Sequence, residues 1–197
     1  MKGEMDMAIT LNLHPVIELT DERFEQICQS NREWKFERTA QGELVILSPT
    51  GGQTGNRNWK LTGQFWGWSQ QNNLGEGFDS STGFRLPNGA TRSPDFAWVR
   101  LERWQALTPE QQRKFVPLCP DFAIELRSPS DELGELQLKM QEYLDNGLRL
   151  GWLIDPESRQ VEIYRSGQQV EVLENPKTLS GEAVLPGFVL NLSTIFV

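Results

Sequence analysis

Ser93-Pro94-Asp95-Phe96-Ala97-Trp98-Val99 and Cys119-Pro120-Asp121-Phe122-Ala123-Ile124-Glu125-Leu126-Arg127-Ser128-Pro129-Ser130 are the two stretches whose reading decides the fold. Each reads as a β-strand opened by Pro-Asp-Phe-Ala. Strand side chains alternate between faces, so Asp121, Ala123, Glu125 and Arg127 share one side while Phe122, Ile124 and Leu126 share the other. An acid and a cation in a row on one face of an otherwise apolar strand is an unusual pattern. A carboxylate among Phe, Ala, Ile and Leu is costly to bury unpaired, so Glu125 needs a partner.

The helix that follows carries apolar residues at Leu133, Leu136, Met140, Tyr143 and Leu144, with Gly147 to end it. Lys139 sits on the shoulder of that stripe, where its stem can lie on a sheet while its amine reaches a site. The plainer reading is an i,i+4 ion pair with Glu135. Gly151-Trp152-Leu153-Ile154-Asp155 reads as a buried strand, and Val161 to Arg165 as its half-buried hairpin partner. Gln169 to Glu174 and Gly187 to Leu190 add later strands.

Upstream, residues 1–19 read as a lead-in, and 20–197 as one domain without an internal linker. Thr20 is a candidate N-cap, with Asp21 and Glu22 in the first turn of its helix. Trp34 to Leu47 reads as a hairpin around Gln41-Gly42. Ser48 to Asn56 is a Gly-rich connector that lacks the Gly-Lys-Ser/Thr ending of a phosphate loop. A helix is expected from about Asn56 to Gln71, apolar round much of its circumference; its tryptophans read first as core and second as a base-stacking platform. The chain then turns through Asn72 to Gly77. A short strand near Gly83 to Leu86 and the Asn88-Gly89 turn lead into the Asp95 strand. Thr108-Pro109-Glu110-Gln111 carries the signature of a capping box.

Composition narrows the chemistry. The chain has 197 residues, enough for a substantial core without staples. A single histidine, His14, all but excludes Ser-His-Asp, Cys-His and multi-histidine zinc sites. The two cysteines, Cys28 and Cys119, read as reduced thiols of a cytoplasmic protein. No run is long enough to span a bilayer, and the acids Glu4 and Asp6 do not fit a signal peptide. The net charge of -8 argues against a salt-driven grip on nucleic acid over the whole surface, although Arg85 to Arg127 is locally basic.

If the Asp95 and Glu125 strands pair, two carboxylates converge on one hard cation. Oxygen-only ligation favours magnesium or manganese over zinc. Arg127 would then reach the same phosphate, while Asp121, roughly 13 Å further along the strand, reads as a strand-end hydrogen bonder.

Pro94-Asp95 followed by Glu125-Leu126-Arg127 resembles the bipartite signature of the restriction-endonuclease-like nucleases, and most closely their Uma-type branch. Glu43-Leu44-Val45 before Ser48-Pro49, Ser128-Pro129-Ser130, Lys139 with Tyr143, Gly151 to Pro156 and Val161 to Tyr164 extend the likeness over nearly the whole chain. The resemblance implies an α/β fold, a central mixed β-sheet flanked by helices, with an additional N-terminal hairpin and C-terminal strands. It also implies a Mg2+ (or Mn2+) site that cleaves DNA phosphodiester bonds. Asp95 and Glu125 would be metal ligands, with Leu126 lending its carbonyl. Arg127 stands where the signature has lysine; an arginine stays protonated and holds phosphate rather than acting as a base. Lys139 is the substitute amine. The helix before the sheet has no acid to complete the site, which leaves Glu37 or Glu43 as outside contributors. A homodimer is expected on functional grounds, since cutting both strands of a duplex commonly takes two copies. The alternative is a nuclease-fold module that binds or assembles without cleaving.

Overall fold

A computed structural model describes residues 8–196; the first seven residues of the lead-in lie outside them. The elements in chain order are β1 (Ile9–Leu11), α1 (Asp21–Ser30), β2 (Lys35–Arg38), β3 (Leu44–Leu47), α2 (Gly52–Ser69) and β4 (Gly75–Asp79). There follow β5 (Phe84–Arg85), β6 (Thr91–Arg92), β7 (Phe96–Arg100), α3 (Leu101–Gln105), α4 (Pro109–Arg113) and β8 (Phe122–Leu126). The chain continues through α5 (Leu133–Asp145), β9 (Leu150–Asp155), β10 (Gln160–Arg165), β11 (Glu171–Glu174), β12 (Thr178–Ser180) and β13 (Val189–Asn191).

The central sheet is mixed and six-stranded, in the order β11-β10-β9-β8-β7-β4. Its one parallel pair, β8 with β9, is joined through α5, as a parallel connection requires. The two Pro-Asp strands do pair. β7 and β8 run antiparallel with Phe96 opposite Ile124, so Asp95 and Glu125 lie one step beyond the last pair.

Strand alternation sorts the core into two layers. Phe96, Trp98, Phe122, Ile124, Leu126 and Trp152 face α2 and the C-terminal β12–β13 hairpin. Ala97, Val99, Ala123 and Leu153 face α5, packed with Met140 and Tyr143. Small residues on that second face let the helix approach closely. Gly151 is the tightest point: a Cβ there would stand 2.4 Å from the Met140 methyl and 2.8 Å from Leu148. Gly147 ends α5 with φ +106°, a value glycine adopts without strain.

The expected N-terminal hairpin, β2 with β3, belongs to a second sheet of five strands ordered β1-β3-β2-β6-β5. Phe24 and Leu19 pack beneath it. Thr20 caps α1, its Oγ1 accepting from the Arg23 N–H at 3.4 Å. The Thr108 capping box forms in full.

Three expectations change. Helix α2 begins at Gly52, so Gly52 to Asn56 is helix rather than connector. Glycine disfavours helix locally, but Thr54 and Arg57 are buried in those first turns, and packing of that face outweighs propensity. The expected turn through Gly77 is in part strand β4. Its glycines are there because a Cβ on Gly75 would stand 2.4 Å from the Trp98 ring. The lead-in contains β1, which pairs with β3.

Candidate active site

At the end where β7 begins and β8 finishes, β2, β6, β7, β8 and α5 bring charged side chains to one place. Asp95 is fixed first. Its Oδ2 accepts the Leu126 N–H at 2.8 Å, and its Oδ1 accepts the Asn58 Nδ2 from α2 at 3.1 Å. Burial raises the Asp95 carboxyl, against the Leu126 hydrogen bond and the nearby Lys35 and Lys139.

Glu125 lies one step along, 4% exposed. Its Oε1 accepts from the Tyr143 hydroxyl at 3.0 Å and pairs with the Lys139 Nζ at 3.0 Å. Lys139 and Tyr143 are four residues apart, hence on the same face of α5. Burial pushes the Glu125 carboxyl up to about 7; Lys139 opposes this, and the charges of Asp95 and Glu37 add to it.

The N-terminal hairpin supplies a third acid. Glu37 on β2 is 2% exposed, and its Oε1 accepts from Lys139 Nζ and from the Ser93 N–H, both at 2.9 Å. Its Oε2 lies 3.3 Å from Arg92 Nη1. Burial alone would raise this carboxyl, but Lys139 and Arg92 hold it below the usual range. Arg92 is held in turn by Glu142 of α5, its Nε 2.5 Å from Glu142 Oε2. Burial would strip Lys139 of its proton, yet Glu125 and Glu37 raise its affinity for it. Lys139 is therefore an ammonium clamped between two carboxylates.

Of the residues expected from sequence, Asp95, Glu125, Leu126 and Lys139 come together, and Arg127 does not join them. It stands past the end of β8, where its Nη1 donates to Asp155 Oδ2 at 2.8 Å and its Nε to the Asp131 carbonyl at 3.1 Å. The face it shared with Glu125 by alternation is lost once the strand ends. Asp121 is a strand-end hydrogen bonder, as expected: Oδ2 accepts the Arg100 N–H at 2.9 Å and pairs with Arg103. The Glu135–Lys139 pair does not form among the described residues, because Lys139 turns inward.

Two residues carry more than the sequence assigned them. Glu37, only a distant contributor from sequence, is on the lysine. Asn58 occupies the helix position where an acid was sought, and spacing gave no sign of it. Its Oδ1 is buried without a hydrogen-bond partner. That orphaned oxygen belongs to the amide whose nitrogen donates to the Asp95 carboxylate; with Asp95, Glu125 and the Leu126 carbonyl it would make an all-oxygen donor set. Such a set fits a hard divalent cation. No cluster of three or more His, Cys, Asp or Glu suited to a metal occurs among the described residues, so the third side-chain oxygen would be the amide.

A sequence profile described as "Putative restriction endonuclease", Uma2, matches residues 21–193. The chain belongs to the Uma2 family. No curated protein matches it. Among solved structures, a chain described as a "putative nuclease" from Anabaena variabilis ATCC 29413 superimposes with a TM-score of 0.69 at 19% identity. The match covers 83% of this chain and 90% of that one. At that identity the likeness establishes the fold: a nuclease-like central mixed sheet flanked by helices. The Uma2 family thus accounts for the architecture, and the cluster at Asp95 lies where β7 and β8, the two central Pro-Asp strands, present their ends. No helix among the described residues is long and apolar enough to cross a membrane.

Proposed function

We propose that this Uma2 chain is a metal-dependent endonuclease that hydrolyses DNA phosphodiester bonds. The observation that carries the reading is the buried Asp95–Glu125–Lys139 cluster, with the unpaired Asn58 oxygen beside it. Mg2+ or Mn2+ would be held by Asp95, Glu125 and the Leu126 carbonyl, with Asn58 Oδ1 as a further donor. When bound, such an ion polarises the phosphate and makes a water acidic enough to attack near neutral pH.

The chain's own residues do the rest. Lys139 keeps its proton and places positive charge where a phosphoryl oxygen gains negative charge, a contribution that is large in a water-poor site. Tyr143 holds the Glu125 carboxylate in orientation by donating to Oε1. Glu37 holds the lysine from the other side, so the amine is positioned before substrate arrives. Arg127, tied to Asp155, would meet a phosphate only at the rim.

Plasmid and labelled oligonucleotides incubated with Mg2+ or Mn2+ test this directly. Cleavage is expected from the wild type and a loss of at least about a hundredfold from Asp95→Ala or Glu125→Ala, the scale of removing one charged group at a reacting centre. Cleavage that survives both substitutions sinks the assignment. The clamping of Lys139 by two carboxylates favours a second reading, a binding module without cleavage, and the same assay decides it: binding without any product under either metal.

A further inference from the structure

Two of the tryptophans on α2 do not join the core. Trp59 is 73% exposed and Trp66 65%, whereas Trp68 packs against Trp98 and Phe188. The exposed pair are seven positions apart on the helix, so both rings stand on one side of α2, their positions about 10.5 Å apart along the axis. Two large aromatics exposed together mark a surface that meets something.

The ends of this surface say what. Trp59 directly follows Asn58, whose amide is hydrogen-bonded to Asp95. The surface therefore starts at the rim of the candidate site. Beside Trp66 runs a groove of about 410 Å³ between α2 and β4, the edge strand of the central sheet. Its lining includes Gly75, Gly77 and Asp79 of β4, whereas Glu76 alternates to the other face with Phe78, which packs on Phe84 and Trp104. The Asp79 carboxylate repels phosphate but can accept a hydrogen bond from the amino group of a nucleobase. A backbone of phosphates is thus turned away from the groove, while flat, hydrogen-bonding rings are accepted. The spacing of the tryptophans corresponds to about three nucleotides at about 3.4 Å each.

We propose that the substrate is unpaired next to the scissile phosphate: a single-stranded segment of DNA whose bases stack on Trp59 and Trp66 and run on into the α2–β4 groove. This rests on the nuclease reading and names its substrate class. A closed duplex keeps its bases stacked on each other and has none to offer. Stacking on aromatics is tolerant of sequence, because every base has a π-face.

The test is binding of fluorescent oligothymidylate and of a matched duplex to the full chain in chelator, followed by anisotropy and tryptophan emission. Wild type is expected to prefer the single strand by about tenfold or more, with quenched emission. Trp59→Ala and Trp66→Ala should each lose about tenfold in single-strand affinity, and Trp59→Phe should retain most of it. Because both rings are exposed, melting temperatures should not move. Equal binding of duplex and single strand, unchanged affinity in the alanine variants, or no binding at all overturns the proposal. So does a double alanine variant that turns a dimer into a monomer with oligonucleotide binding intact, since the surface would then belong to a second copy. Chelator keeps the two readings apart. Single-strand binding without cleavage on adding Mn2+ fails the nuclease alone, and duplex cleavage undiminished in Trp59→Ala fails the stacking surface alone.

Discussion

Glu37 accepts from a lysine, an arginine and a backbone N–H in a place water barely reaches, with 2% of the residue exposed. Removing its charge leaves Lys139 and Arg92 short of a counter-ion in the interior. Breaking a buried pair from one side costs about 3–5 kcal/mol, because the abandoned charge stays desolvated. Glu37→Gln is therefore expected to lower unfolding free energy by about 3 kcal/mol in urea titrations. A surface carboxylate such as Glu132 should give near zero under the same substitution. Glu125 makes the opposite contribution with pH. Its folded carboxyl sits at about 7, above the ordinary glutamate value of 4.5, so the folded protein binds its proton more tightly than the unfolded chain. Its contribution to stability is fully present below pH 4.5 and is lost as pH rises to about 7. Thermal melts of wild type and Glu125→Gln in chelator, between those limits, check this. The difference should grow in favour of the glutamine variant as pH rises and level off above about 7; a flat difference would contradict it.

Helix α5 carries three duties on one face: Lys139 and Tyr143 to Glu125, Glu142 to Arg92, and Met140 onto Gly151. The last contact sets how deeply the helix sits. Gly151→Ala would place a methyl 2.4 Å from the Met140 Cε, so the helix must lift or the methionine must turn. The expected cost is about 1–3 kcal/mol of stability. Because Lys139 is the residue before Met140, cleavage should fall further than stability implies, and Met140→Ala in the same chain should restore part of both. Elements of this kind were legible from sequence where local signals agree with packing. Thr20, the Thr108 box, Gly147 and the alternation of β8 all mean in the structure what they mean locally. Legibility fails where a distant neighbour decides. Gly75 reads as turn until the Trp98 ring is laid on it, and Gly52 to Asn56 reads as loop until Thr54 and Arg57 are buried. The site divides the same way. Asp95 and Glu125 were readable because register alone brings their strands together. Glu37 belongs to another sheet, and Asn58 puts an amide where an acid was sought. Arg127 was misplaced because alternation was carried one residue beyond the end of the strand.

At the scale of the molecule, the candidate site is a seam. Glu37 and Arg92 come from the five-stranded sheet, Glu125 lies in β8 of the six-stranded one and Asp95 just before its β7, and Asn58 and Lys139 come from the helices on its two faces. Glu37 and Glu125 share Lys139 there, and the charge of Asp95 acts on Glu125, so a divalent cation held between Asp95 and Glu125 would relieve repulsion that folding must otherwise overcome. A ligand that binds only the folded state stabilises by the logarithm of its saturation, about 2.7 kcal/mol at a hundred times its dissociation constant. For a chain of this size each kcal/mol moves the melting temperature by about 2–4 °C. Saturating Mn2+ should thus raise the melting temperature by roughly 5–10 °C over chelator, with no DNA present and no cleavage needed. In Asp95→Ala the rise should vanish, since both the proposed ligand and the anchor of Leu126 are gone. Asn58→Asp should enlarge it, because a carboxylate then replaces the unpaired amide oxygen. A rise of the same size in wild type and Asp95→Ala would place the ion elsewhere on this acidic surface.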